Sequence, residues 1–192
     1  MSRPQILKLD SGGQPMEWID WKKAVTHQVT GEIAWSLGEQ TFSFRGGHNK
    51  DGEQSVVTVP SIIAVTGKSA AKRKKDVPTL TNNSLFKRDR YVCAYCGVKF
   101  PEDKLSRDHV HPTSLGGKNV WTNVVTACKP DNHRKANKTL EKAGMKLLYV
   151  PYTPNHAEAL ILKGRNILAD QMEFLLALVP DHSPLKKELQ KQ

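Results

Sequence analysis

The chain has 192 residues, with 29 Lys and Arg against 19 Asp and Glu for a formal charge of +10, a mean hydropathy of -0.52 and a pI near 9.6. A hydrophobic content of 38% with 25% charged residues excludes global disorder, and the length suits one moderate domain or a small module whose flanking elements complete its core. The positive balance favours polyanionic partners, and three cysteines, an odd count, argue against a secreted disulfide framework and for a reducing, cytoplasmic setting.

Ile6 to Leu9 alternates weakly before the turn cluster Asp10-Ser11-Gly12-Gly13, which predicts a short strand leading into a loop. No membrane segment is expected: Met1 to Asp10 lacks an apolar core of signal-peptide length, and Phe174 to Val179 is too short to span a bilayer. Trp18, Ile19 and Trp21 precede Lys22 to Val29, where Ala24, Val25, Gln28 and Val29 give an amphipathic helix ended by Gly31. Ile33 to Ser36, Thr41 to Arg45 and Ser55 to Val65 are rich in β-branched and aromatic residues, with Gly46-Gly47 and Asp51-Gly52 as turns, and read as a small antiparallel sheet. Trp18, Trp21 and Trp35 can be read as a base-stacking platform or as core, and core packing is the reading adopted.

Lys68 to Lys75 is dominated by lysine and arginine and holds no large apolar residue, which suggests a solvated linker able to lie along phosphates. Asn155 with Glu158 three residues later resembles a capping box opening a helix through about Lys163. Ile167, Leu168, Met172, Leu175, Leu176 and Val179 recur at helical spacing, a broad apolar face expected to dock on the sheet, with a homodimer seam as the alternative.

The chemistry lies between these flanks. In Cys93-Ala-Tyr-Cys96-Gly97 two thiols separated by two residues can ligate one metal ion from a tight turn. Cys128 recurs downstream with Asp131 where a second thiol of an all-cysteine site would sit, so Cys93, Cys96, Cys128 and Asp131 form a candidate structural Zn²⁺ site. His133 competes with Asp131 as fourth ligand, being the softer donor.

Between the halves of that knuckle runs Ser106-Arg-Asp108-His109-Val-His111-Pro112-Thr-Ser-Leu-Gly116-Gly117, then Trp121-Thr-Asn123. The order CxxCG, Asp-His-Val-x-Pro, Ser-x-Gly-Gly, Trp-x-Asn and a terminal Cys-x-x-Asp-Asn resembles the zinc-stapled HNH endonucleases of bacteria and phages across Leu85 to Thr139. The resemblance implies an α+β chain with a ββα-metal nuclease core. The organisation expected is a β-rich N-terminal region over 1–67, a basic linker over 68–84, the nuclease core over 85–140 and a C-terminal helical region over 141–192.

It further implies a phosphodiesterase acting on double-stranded DNA with Mg²⁺ or Mn²⁺. Asp108 then supplies a hard carboxylate to the catalytic ion, and His109, an imidazole able to work near neutral pH, is the general base. Adjacent residues on an ideal strand face opposite ways, so serving one site requires the strand to kink or end there, and Pro112 and Gly116-Gly117 offer the irregularity. Asn123 resembles the residue that braces the backbone around the base, and Asn132 takes the third family position beside Asp108, with His133 as its substitute. His111 is either a bland loop residue or a phosphate contact. Arg88, Arg90, Arg134, Lys135 and Lys138 form a candidate DNA-binding patch, the last three read as one side of a helix. A noncatalytic zinc-knuckle DNA-binding module is the reading from another class, and an RNA nuclease would share the chemistry.

Overall fold

The computed structural model describes residues 5–67 and 77–189, so the basic run Lys68 to Lys75 and its expected phosphate contacts lie outside the described residues. The chain divides into two units, one built from 1–76 with 156–192 and one from 77–155.

In the first unit, strand β1 (Gln5–Asp10) has Ile6, Leu7 and Leu9 all fully buried, a pattern that requires cover on both faces. It sits inside a four-stranded sheet of order β2-β1-β4-β3, where β2 is Pro15–Asp20, β3 is Ile33–His48 and β4 is Gln54–Val65. Helix α1 (Trp21–Val29), capped by the Asp20 carboxylate on Lys23 N at 2.9 Å, covers one face, where Ile6, Ile19, Ala24, Val59 and Ile63 cluster. Helices α5 (His156–Lys163) and α6 (Ala169–Ala177) supply Leu160, Leu175 and the following Val179 to the opposite cluster, against Leu7, Leu9 and Ile62.

Several expectations change here. Strand β2 is additional, and the β1–β4 pair is parallel, while β1–β2 and β3–β4 are antiparallel. Ile33 to Ser36 and Thr41 to Arg45 belong to one strand with register shifts, and Gly38, at φ +96°, sits in the shift between Leu37 and Thr41. That positive φ favours glycine, and a Cβ there would also crowd Ser61 Oγ, itself bonded to Asp170 at 2.5 Å. The Ile167 to Val179 face docks on the sheet as part of this unit's own core, with Leu175 and Val179 at 0% and 2% exposure and Ile167, Met172 and Leu176 half-buried against them. Trp18, Trp21 and Trp35 are half-buried packing residues: Trp21 stacks on Phe44 at 4.9 Å, and the Trp18 and Trp35 indoles donate to Leu160 O and Ser11 O.

In the second unit, helix α2 (Asn82–Arg88) opens on a capping box between Thr81 and Ser84, inside the stretch read as linker. Strands β5 (Leu105–His109) and β6 (Val124–Cys128) form an antiparallel pair, and helix α3 (Lys129–Lys135) follows β6 directly, with Pro130 in its first turn. The core joins Leu85, Phe86, Leu105, Trp121 and Val124. Helix α4 (Leu140–Ala143) completes the set. No helix among the described residues is long and apolar enough to cross a membrane.

Candidate active site

Register along β5 and β6 sets the site. His109 stands opposite Val124 and Asp108 opposite Val125, and β5 ends at His109. Beyond it the chain is tied back by Val110 N to Asn123 O at 2.9 Å. The strand end allows the two neighbours to serve one cavity of about 190 Å³, lined by Arg107, Asp108, His109, Asn132 and Lys135 among others. Asp108 is buried, whereas His109 is half-exposed.

The loop after His109 owes its shape to Asn123. Its Oδ1 accepts from His111 N at 2.9 Å, and its Nδ2 donates to His111 O at 3.0 Å and Lys118 O at 2.8 Å. Gly117 is enclosed by that clamp: a Cβ there would lie 1.9 Å from His111 O. His111 is exposed, its Nε2 against Leu115 O at 2.9 Å.

Asn132 occupies the first turns of α3 and lines the same cavity. Its Nδ2 is committed to Ser106 Oγ at 2.8 Å and Arg107 O at 3.2 Å, which leaves its carbonyl oxygen as the atom it can offer an ion. His133 is exposed one residue further along the helix.

Three members of the expected DNA-binding patch are placed differently. Lys135 is 1% exposed, with Nζ donating to Asp108 Oδ1 at 3.0 Å and to His109 O at 2.7 Å, so it is an internal cation of the cavity wall and not part of an exposed helical face. Arg88 is 4% exposed, pairs with Asp89 and donates to the carbonyls of Trp121, Tyr152 and Val124. Its planar fork saturates a buried carboxylate and three strand and loop carbonyls, leaving nothing to offer DNA. Lys138 lies beyond the end of α3, where Ala136 turns the chain at φ +47°, so it does not share a helical face with Arg134. Arg90, Arg134 and Lys138 are exposed, and Arg134 pairs with Asp131 at 3.1 Å.

Tyr95 is a site residue that no motif or spacing marks. Its hydroxyl, on the turn between Cys93 and Cys96, donates to Asp108 Oδ2. Burial and the neighbouring carboxylate push its ionisation well above the usual phenol range, so it stays a donor.

The knuckle assembles as its spacing requires. One ligand atom from each of Cys93, Cys96, Cys128 and Asp131 lies within 4.8 Å of every other, and Asp131 Oδ2 is 3.3 Å from the sulfurs of both Cys93 and Cys128. Three soft thiols and one carboxylate oxygen suit a tetrahedral ion such as zinc, and this grouping contains Asp131 and not His133. Burial raises the Cys128 thiol to about 12. Burial also works to raise Asp131, but the thiol hydrogen bonds and Arg134 outweigh it and hold the carboxyl below its ordinary range.

No curated protein matches the chain. Residues 93–148 match the family model described as HNH endonuclease, a span that takes in the knuckle, Asp108, His109, Asn123 and Asn132, and which supports a nuclease-type role in general. Within the second unit, therefore, residues 93–148 are similar to the HNH endonuclease family, in a chain of mixed α+β fold.

Proposed function

We propose that the protein is a metal-dependent endonuclease that hydrolyses phosphodiester bonds of double-stranded DNA. The observation that carries the reading is the convergence of Asp108, His109 and Asn132 on one cavity at the end of the β5–β6 pair, with Asn123 bracing the loop between them. His109 serves as general base, taking a proton from the attacking water. The cavity offers one carboxylate and one amide oxygen, a sparse set that fits an ion such as Mg²⁺ or Mn²⁺, which keeps several water and phosphate ligands. When bound, the cation would supply charge neutralisation at the scissile phosphate and the leaving oxygen. Products with 5′-phosphate ends follow from the same family reading.

One observation favours the noncatalytic DNA-binding module: both Asp108 oxygens already have partners within the protein, Lys135 and Tyr95. Cleavage of supercoiled plasmid with Mg²⁺ or Mn²⁺, comparing the protein with His109→Ala after both are shown to fold and bind DNA alike, separates the two. Nicked or linear product lost in the variant supports the nuclease. Binding without cutting by either protein in both metals supports the module.

A further inference from the structure

The atom that fixes His109 lies in the loop that Asn123 clamps. Asn119 Oδ1 is 3.0 Å from Arg107 Nη1 and 3.2 Å from His109 Nε2. A guanidinium has donors and no acceptor, so the Asn119 atom facing Arg107 has to be the carbonyl oxygen of the amide. That oxygen only accepts. The His109 nitrogen beside it must therefore carry the proton, and the lone pair of the neutral ring is left on Nδ1. Arg107 also reaches Leu80 O from Nη2 at 3.5 Å, while its buried Nε has no hydrogen-bond partner among the described residues, and burial lowers its ionisation without removing its charge.

We propose that Asn119, anchored by Arg107, is a positioning residue that sets the tautomer and ring orientation of His109 and so makes Nδ1 the basic atom. The inference rests on the nuclease reading for its catalytic consequence, but the hydrogen-bond relay does not. Asn123 acts at one remove: by joining His111 to Lys118 it holds the loop that delivers Asn119 to the ring. Two asparagines four residues apart thus divide the work, one shaping the backbone and the other touching the base.

The test reads the tautomer directly and then its effect. Protein labelled with ¹⁵N in its histidine rings is examined by long-range ¹H–¹⁵N correlation well above the imidazole titration range, and His109 is assigned by the signals lost in His109→Gln. In the unaltered protein His109 carries its proton on Nε2. Asn119→Leu, similar in size but without an acceptor, turns that signature into a mixture of tautomers, whereas Asn119→Asp keeps it.

In plasmid cleavage Asn119→Leu lowers kcat by about 10–100-fold with KM little changed, part of what an oriented general base contributes, and Asn119→Asp recovers most of the loss. A proton on Nδ1 in the unaltered protein, or an unaltered His109 spectrum in folded Asn119→Leu, overturns the proposal. If Asn119→Leu does not fold, Arg107→Met, which frees the amide, is read in the same way. Should the unaltered protein cut no DNA while His109 still holds Nε2–H and responds to Asn119→Leu, the relay stands and the nuclease reading alone falls.

Discussion

The ammonium of Lys135 lies 3.0 Å from the carboxylate of Asp108, and both side chains are almost wholly buried, at 1% and 6% exposure. The same ammonium reaches the His109 carbonyl at 2.7 Å. The last residue of α3 is thereby fastened to the strand end that carries both expected catalytic residues, and the cation that neutralises Asp108 is part of the fold.

Removing one member of such a pair strands the other in a poor solvent for charge. Lys135→Met is expected to destabilise the second unit by about 3–5 kcal/mol, and adding Asp108→Asn to recover much of the loss. Urea unfolding of both variants checks this, and equal instability of the single and double variants would contradict it.

Tyr95→Phe removes one donor from Asp108 without changing shape. A buried carboxylate oxygen left without that partner costs about 1–3 kcal/mol. Although Tyr95 sits between two knuckle thiols, its hydroxyl bonds Asp108 and only its backbone N meets Cys93 Sγ, so the same variant is expected to bind Zn²⁺ with unaltered affinity, a comparison available from competition with a chromophoric chelator.

Withdrawing metal from the knuckle tests a different joint. A thiol-competent chelator is expected to lower the melting temperature of the protein, and Cys128→Ala to make it insensitive to the chelator. Asp131→Cys, which replaces a hard oxygen with a soft donor, is expected to tighten zinc retention by about 10-fold or more, in line with the stronger claim of thiolate on this ion. Metal content after dialysis against graded chelator gives the order.

For the buried guanidinium, charge alone does not suffice. Arg88→Lys keeps the charge but loses the fork that meets Asp89 and three carbonyls, and is expected to destabilise by about 2–4 kcal/mol. DNA affinity measured under conditions where the variant stays folded should be unchanged, while Arg134→Ala and Lys138→Ala weaken binding and reduce its salt dependence by about one counterion each.

What could be read in the sequence was whatever the chain encodes locally. Cys93, Cys96, Cys128 and Asp131 announce themselves by spacing, and they assemble. The Asp108-His109 pair was legible as chemistry, and the end of β5 at His109 supplies the irregularity that their adjacency demanded. Lys135 was misread because its spacing from Arg134 and Lys138 looks like a charged surface face; only the packing of α3 against β5 turns it inward. Arg88 failed for the same reason, its three carbonyl partners lying 33 to 64 residues away. The parallel β1–β4 pair joins strands separated by β2, α1 and β3, a nonlocal register that no short pattern states. Asn119 carries no signal of its own in a loop of polar residues, and only the distances to Arg107 and His109 single it out.

The first unit draws its strands from before the segment that matches the HNH family and the helices covering one of its faces from after it, with Leu7 and Ile62 meeting Leu175 and Val179 in a single cluster. On a ribosome the intervening unit is therefore fully made, and can close its own core, while the sheet still lacks the cover for one of its faces. Synthesis proceeds at about 5–20 residues per second, so the naked Leu7–Ile62 face waits for several seconds before its helices arrive. The order of assembly is expected to run from the inside of the sequence outwards: the segment bearing the nuclease motif matures first, and its host module closes last.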